Sequence, residues 1–291
     1  MSYIKSINSI LKLTRIEHSL MLIIAVLSGE FLSFGKLPNI TILLLSLITP
    51  IFISMASFAI NDYFDVDVDK LNKKNRPLVT GELRKDSALY ITIICLVIGV
   101  MASFFINTYA FLIAIIFGIL AMLYSYKLKE LFLLGNLYIG FSMAIPFIYG
   151  NFVVSNILEF NIVIVSSMIF ISGVAREIHG TIRDYDGDRK RKVLSLPHLI
   201  GIIPSAMIAA ILYLAAIAIS IFIFFSVKPF YNVIYLLLIL ITDILLLYTS
   251  FGYIIKRDKK FYSLSRNISL AAMSIALIAI FIASLSIGVI T

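Results

Sequence analysis

Ten of the sixteen acidic residues fall in two short stretches, at a spacing that suits a metal or phosphate site better than a solvated loop. The first reads Asn61-Asp62-Tyr63-Phe64-Asp65-Val66-Asp67-Val68-Asp69, with Glu82 and Asp86 beyond it. On a continuous helix Asp62, Asp65 and Asp69 stand at i, i+3 and i+7 on one face, and Asp67 points away. The second holds Glu177, Asp184, Asp186 and Asp188. There Glu177, Thr181, Asp184 and Asp188 make one stripe at i, i+4, i+7 and i+11, with Asp186 turned off it. Stacked carboxylates repel and raise one another's pKa unless a positive charge sits between them. A divalent cation answers that repulsion, and Mg²⁺ is typically held by one or two carboxylates together with substrate phosphates. The expectation is therefore two acidic stripes facing one another across a diphosphate, with magnesium between them and neighbouring Arg and Lys completing the anion site.

The elements that must position these groups are membrane helices. Of 291 residues 61% are hydrophobic and 14% charged, against roughly 45–50% and about 25% in a soluble domain. A water-soluble body is excluded, and the mean hydropathy of +1.04 agrees. The single Cys95 excludes a disulfide framework, and with three scattered histidines no Cys/His zinc pattern is present. Nine apolar spans are predicted near 18–34, 40–61, 88–106, 108–126, 133–153, 159–180, 202–225, 230–255 and 265–290. The fold class is thus all-α, an integral membrane bundle of nine helices forming a single domain over residues 1–291. The first span is expected to be retained, because it lacks a small-residue cleavage exit.

The formal charge of +8 reads as topology and not as a nucleic-acid footprint, since 22 of 24 Lys and Arg lie on alternate connections and only Lys36 and Lys228 on the others. The positive-inside rule then places the N-terminus and both acidic stretches on the cytoplasmic side of the cell membrane. The polar segments near 61–87 and 176–201 are where function is expected.

The first stretch resembles the NDxxDxxxD motif of the UbiA superfamily of intramembrane prenyltransferases, and Asn75-Arg76-Pro77-Leu78 with Gly81 is similar to the segment that follows it there. Asp184-Tyr185-Asp186-Gly187-Asp188 resembles the family's DxxxD motif, followed by Ser195-Leu196-Pro197 and Gly201. The resemblance covers most of the chain. It implies magnesium-dependent transfer of a polyprenyl group from its diphosphate to a lipophilic acceptor, with Asn61, Asp65, Asp69, Asp184 and Asp188 as metal ligands and the four aspartates as catalytic groups. It also implies Arg15, Asn61, Asp62, Arg76, Lys129, Glu177 and Arg183 as substrate contacts. One departure stands out: relatives often carry Lys-Asp where this chain has Gly180-Thr181, and Glu177 or Arg183 is the available compensation.

Two acceptors fit. Ala175-Arg176-Glu177-Ile178 with Gly187-Asp188 resembles the branch that prenylates geranylgeranylglyceryl phosphate in ether-lipid assembly, whereas Glu17-His18 is closer to branches with an aromatic acceptor such as 4-hydroxybenzoate. The glycerol phosphate is the favoured reading. A cation-coupled transporter is the alternative from another class, but its site is expected near the midplane and not at helix ends. Tyr63, Tyr124, Tyr126, His18 and His179 read more simply as packing or interfacial residues, and Asp243, midway along span eight, as a protonated or hydrogen-bonded bundle residue. Oligomeric state is not legible.

Overall fold

A computed structural model describes residues 2–71, 73–131, 133–190, 194–256 and 258–287, with the side chains of 2–6 and 188–190 outside the described set. Among the described residues the chain is helical without strands. In order, the helices are α1 Ser2–Thr14, α2 Ser19–Phe34, α3 Ile40–Leu71, α4 Pro77–Thr80, α5 Lys85–Phe104, α6 Thr108–Tyr126 and α7 Leu134–Val154. Then come α8 Phe160–Arg183, α9 Tyr185–Lys190, α10 Leu196–Ile200, α11 Ile202–Ser226, α12 Val233–Ile255 and α13 Lys259–Leu285.

Among the described residues nine helical segments are long and apolar enough to cross a membrane. Helix α11 shows why they do: its mean hydropathy reaches 2.8 while only 28% of its apolar window is buried in protein. That much exposed apolar surface needs lipid as its solvent, and helices satisfy their backbone groups internally there. The protein is therefore a multi-pass membrane protein. Helix α3 runs past the limit predicted at residue 61, since Asp62 through Leu71 continue the helix as a polar extension.

The chain divides into two compact units, Met1–Val26 with Pro38–Leu128, and Leu27–Leu37 with Lys129–Thr291. In the first, α3 packs on α5 and α6, and α1 lies against α3 and α4. Leu13, Ala59, Val66, Leu78 and Ala88 form its buried cluster beneath the first acidic stretch. Backbones approach closely at Gly99, where Thr49 Oγ1 donates to the glycine carbonyl at 3.1 Å. In the second unit, α8 packs on α7 and α11, and α12 on α13. Ile178 and Ile182 of α8 are buried with Tyr213, Leu246, Tyr253 and Phe261. Asp243 accepts from Ser220 Oγ at 3.0 Å, which joins α11 to α12 through a buried hydrogen bond.

Candidate functional site

The first acidic stretch occupies the last three turns of α3. Asp62 and Asp69 are buried, Asp65 is half-buried and Asp67 is exposed, so the face assigned from spacing is the one turned inward. Helix α3 closes with a Schellman pattern: Lys73 is left-handed at φ 51, the Lys74 amide donates to Asp69 O at 3.0 Å, and the Lys73 amide donates to Lys70 O at 3.1 Å. The chain then runs back. Arg76 is extended (φ −119, ψ 147), as the residue before a proline tends to be, and Pro77 opens α4, which ends at left-handed Gly81.

This return carries Arg76 onto α3. Its Nη1 donates to Asp62 Oδ1 at 2.7 Å and also to Asp69 Oδ2. Arg15, which sits in the left-handed region at φ 48 between α1 and a short 3₁₀ turn, donates from Nη2 to the same Asp62 oxygen at 2.8 Å. Its guanidinium lies over the Phe58 ring, 4.7 Å from the centroid. Lys74 Nζ is 2.8 Å from Asp69 Oδ1 as an ion pair outside hydrogen-bond geometry. Asn61 Nδ2 donates to Asp65 Oδ2 at 3.0 Å. An arginine thus stands between Asp62 and Asp69 in this structure.

Beside this cluster is an open cleft of about 490 Å³ lined by Lys12, Arg15, Asn75, Arg76 and Asp62, with Leu11 and Ile16 as its apolar wall. Its three cations outnumber the two acids on its lining, Asp62 and Glu17, by one charge. Lys12, Lys74 and Asn75 are contacts that the sequence reading does not assign; the available signal is that Lys74 and Asn75 adjoin Arg76 in the loop following the motif.

Outside the membrane-spanning segments, Ser9 of α1 donates to Glu82 Oε2 at 2.6 Å, which clips α1 to the loop after α4. That hydroxyl, aided by Lys12, holds the Glu82 carboxyl below its ordinary value. A depressed carboxyl pKa contributes stability above the unfolded value, and the contribution disappears as pH falls through the folded value. Glu82→Gln is accordingly expected to lower the melting temperature at pH 7 and to match the wild type once the pH drops well below about 4, which a pair of thermal melts will check.

In the second unit the expected single stripe is interrupted. Helix α8 ends at Arg183, Asp184 stands at its C-cap with φ −91 and ψ 7, and α9 restarts at Tyr185. Only Asp184 leaves the helix, in keeping with the low helix preference of aspartate. Glu177 and Asp184 consequently belong to one helix face, while Asp188 belongs to the next helix and its side chain lies outside the described residues. Arg183 grips Asp184 with two bonds, Nε to Oδ1 at 2.9 Å and Nη2 to Oδ2 at 2.7 Å. Arg176 Nη1 donates to Glu177 Oε1 at 3.3 Å. Thr181 turns its hydroxyl back to Ile178 O at 2.8 Å. Asp186 pairs with Lys259 Nζ at 2.6 Å. His179 is buried and stacks on Tyr253 at 3.9 Å, a packing role. Lys129, half-buried, lies on the 3₁₀ turn Leu128–Glu130.

Among the described residues no three His, Cys, Asp or Glu converge into a ready-made metal cage. The donor set still fits magnesium. Asp65 with Asn61, and Asp184 at an exposed helix end, offer hard oxygens in small number, which is how Mg²⁺ is held when phosphates complete its shell.

The sequence profile of the UbiA prenyltransferase family matches residues 22–271. The chain is 36% identical over 281 residues to digeranylgeranylglyceryl phosphate synthase of Archaeoglobus fulgidus, covering 96% of this chain and 95% of the relative. It is 29% identical to the enzyme of the same name from Methanosphaera stadtmanae, covering 87% and 90%. Its fold is similar to a solved structure concerned with digeranylgeranylglyceryl phosphate synthase in membranes, with a TM-score of 0.79, 28% identity and 97% and 99% of the two chains covered. A UbiA homolog from Archaeoglobus fulgidus bound to DMAPP and Mg²⁺ shares the fold, with a TM-score of 0.71, 20% identity and coverage of 97% and 100%.

Proposed function

We propose that this chain, which belongs to the UbiA prenyltransferase family, transfers a geranylgeranyl group from its diphosphate to geranylgeranylglyceryl phosphate, with Mg²⁺ as cofactor and the reaction on the cytoplasmic side of the membrane. The observation that supports the acceptor most directly is the relative of that name, 36% identical across 96% of the chain. The basic cleft supports the same reading, since both the donor and a glycerol phosphate acceptor are anionic.

Asn61, Asp65 and Asp69 in the first unit, and Asp184 and Asp188 in the second, are the oxygen donors assigned to magnesium. Magnesium, when bound, neutralises charge growing on the departing diphosphate. Arg15 and Arg76 already line the cleft, and their planar forks match phosphate oxygens two at a time. Asp62 orients both guanidinium groups from beneath. Arg183 fixes the Asp184 carboxylate by its bidentate grip, so that this acid is presented at the helix end in one orientation. Glu177 and Lys129 are further substrate contacts in this reading. Apolar helix surface supplies the solvent for the isoprenoid tails, and excludes water that would compete with the acceptor for the allylic carbon.

A transporter is disfavoured because these carboxylates lie at helix ends beside cations. The test supplies membranes containing the protein with geranylgeranyl diphosphate and either geranylgeranylglyceryl phosphate or 4-hydroxybenzoate, with magnesium or with EDTA. The expected result is ether product and pyrophosphate only with magnesium and the glycerol phosphate. Prenylation of the benzoate in its place would overturn the acceptor assignment.

A further inference from the structure

The two buried carboxylates at the end of α3 already have a counter-ion. Asp62 and Asp69 are 2% and 1% exposed, and Arg76 Nη1 bridges them, bonded to Asp62 Oδ1 at 2.7 Å and to Asp69 Oδ2. Arg15 and Lys74 close the cluster from either end. With Asp65 on the same face, three carboxylates stand against three cations, so the cluster offers a bare divalent ion no net attraction. A bare divalent ion therefore gains little there until Arg76 releases Asp69 Oδ2, and Asp69 Oδ1 faces the Lys74 ammonium without a hydrogen bond.

Resting on the assignment of Asp69 as a metal ligand, we propose that Arg76 is an exchangeable counter-ion, holding the Asp62–Asp69 pair in place of the metal until a magnesium-bound diphosphate arrives and then passing from Asp69 to the diphosphate. The move is short. Arg76 is itself part of the cleft wall next to Asp62, its side chain keeps 22% of its surface exposed, and it rides on an extended loop residue with no helical backbone to unwind. Phosphate oxygens can take the bonds that Nη1 alone now makes to the carboxylates, and can engage the fork two at a time. Asp69 is freed in the same step, while Asp62 keeps Arg15. Metal and diphosphate therefore bind as a unit, because each removes the obstacle to the other; the reciprocity of linked binding makes this one coupling measured from either side.

The exchange is testable without turnover. Mn²⁺ binding to the purified protein in lipid nanodiscs is followed by electron paramagnetic resonance, alone and with saturating inorganic pyrophosphate. In the wild type, pyrophosphate is expected to tighten Mn²⁺ by at least about tenfold. In Arg76→Gln, Mn²⁺ alone is expected to bind about tenfold more tightly than to the wild type, because one opposing charge is gone, and the pyrophosphate enhancement is expected to fall below about threefold. Arg76→Lys keeps the charge, so it should retain weak binding of Mn²⁺ alone, and it covers the case in which the glutamine variant does not fold. If Arg76→Gln leaves Mn²⁺ affinity and the enhancement unchanged, or if Arg76→Lys binds Mn²⁺ alone as tightly as Arg76→Gln is expected to, the exchange is wrong. Asp69→Asn separates this from the underlying reading: retention of Mn²⁺ binding with pyrophosphate in that variant removes Asp69 as a ligand, whatever Arg76 does.

Discussion

Replacing Asp65 by alanine is expected to slow magnesium-dependent pyrophosphate release by about two to three orders of magnitude, the usual loss when one group that stabilises developing charge is removed, with the melting temperature nearly unchanged. The separation of rate from stability follows from where Asp65 and Asp62 lie on α3. Asp65 is half-buried, so its truncation opens no buried cavity, and the Asn61 bond it loses lies within one turn of the same helix. Asp62 differs: its carboxylate is the shared counter-ion of Arg15 and Arg76. Asp62→Ala leaves two guanidinium groups facing each other, and since these side chains keep 25% and 22% of their surface in water the destabilisation is set at about 2–3 kcal/mol, under the 3–5 typical of a fully buried broken pair. Asp184→Ala should behave as Asp65→Ala does, because Asp184 is 51% exposed and its partner Arg183 returns to solvent. Pyrophosphate release and thermal melts on the three variants decide the matter. Turnover retained in both Asp65→Ala and Asp184→Ala would remove these residues from the chemistry.

The helices are legible because an apolar run of membrane length has few alternatives, and most predicted ends agree with the structure within a few residues. The limit at 61 comes from counting apolar residues, whereas α3 continues to Leu71 as a polar helix closed by its own Schellman turn. Spacing makes the second acidic stripe one helix because it carries no information on where a helix stops; the break at Asp184 depends on local turn preference and on the Arg183 grip. The amphipathic α1 escapes a search for spans, being too short and too polar to register as one. The Arg76 clasp is the hardest part to foresee. Pro77 and Gly81 announce a turn, and three stacked acids announce a cation, but which cation answers depends on the direction in which a left-handed Lys73 sends the chain. That direction is a tertiary fact.

Gly173→Val is expected to disable the protein from a distance, and Gly180→Ala, two turns nearer the acidic motif, is not. Helices α7 and α8 touch through two glycines: a Cβ on Gly173 would stand 2.9 Å from the Gly140 Cα and 3.0 Å from Met143 Sδ, and one on Gly140 would stand 2.7 Å from Val174 Cγ2. Small residues of this kind let membrane helices approach to backbone contact. A backbone atom cannot give way as a flexible side chain does, so α8 has to move, at a cost of about 1–3 kcal/mol or more. Because α8 ends in Glu177, Arg183 and Asp184, the shift misplaces those groups, and turnover should fall with the melting temperature. Gly180 has nothing within 4 Å of its added Cβ, and alanine there gains up to about 1 kcal/mol in helix propensity. The same open space bears on the departure from relatives that carry Lys-Asp at 180–181. The Cβ of a lysine at 180 meets no steric obstacle, so Gly180→Lys is expected to melt within about half a kcal/mol of the wild type, and a measured loss of several degrees would contradict it. What distinguishes this chain at that turn is then the charge it presents at the helix end, with Arg183 on Asp184 in the place of a lysine one turn earlier.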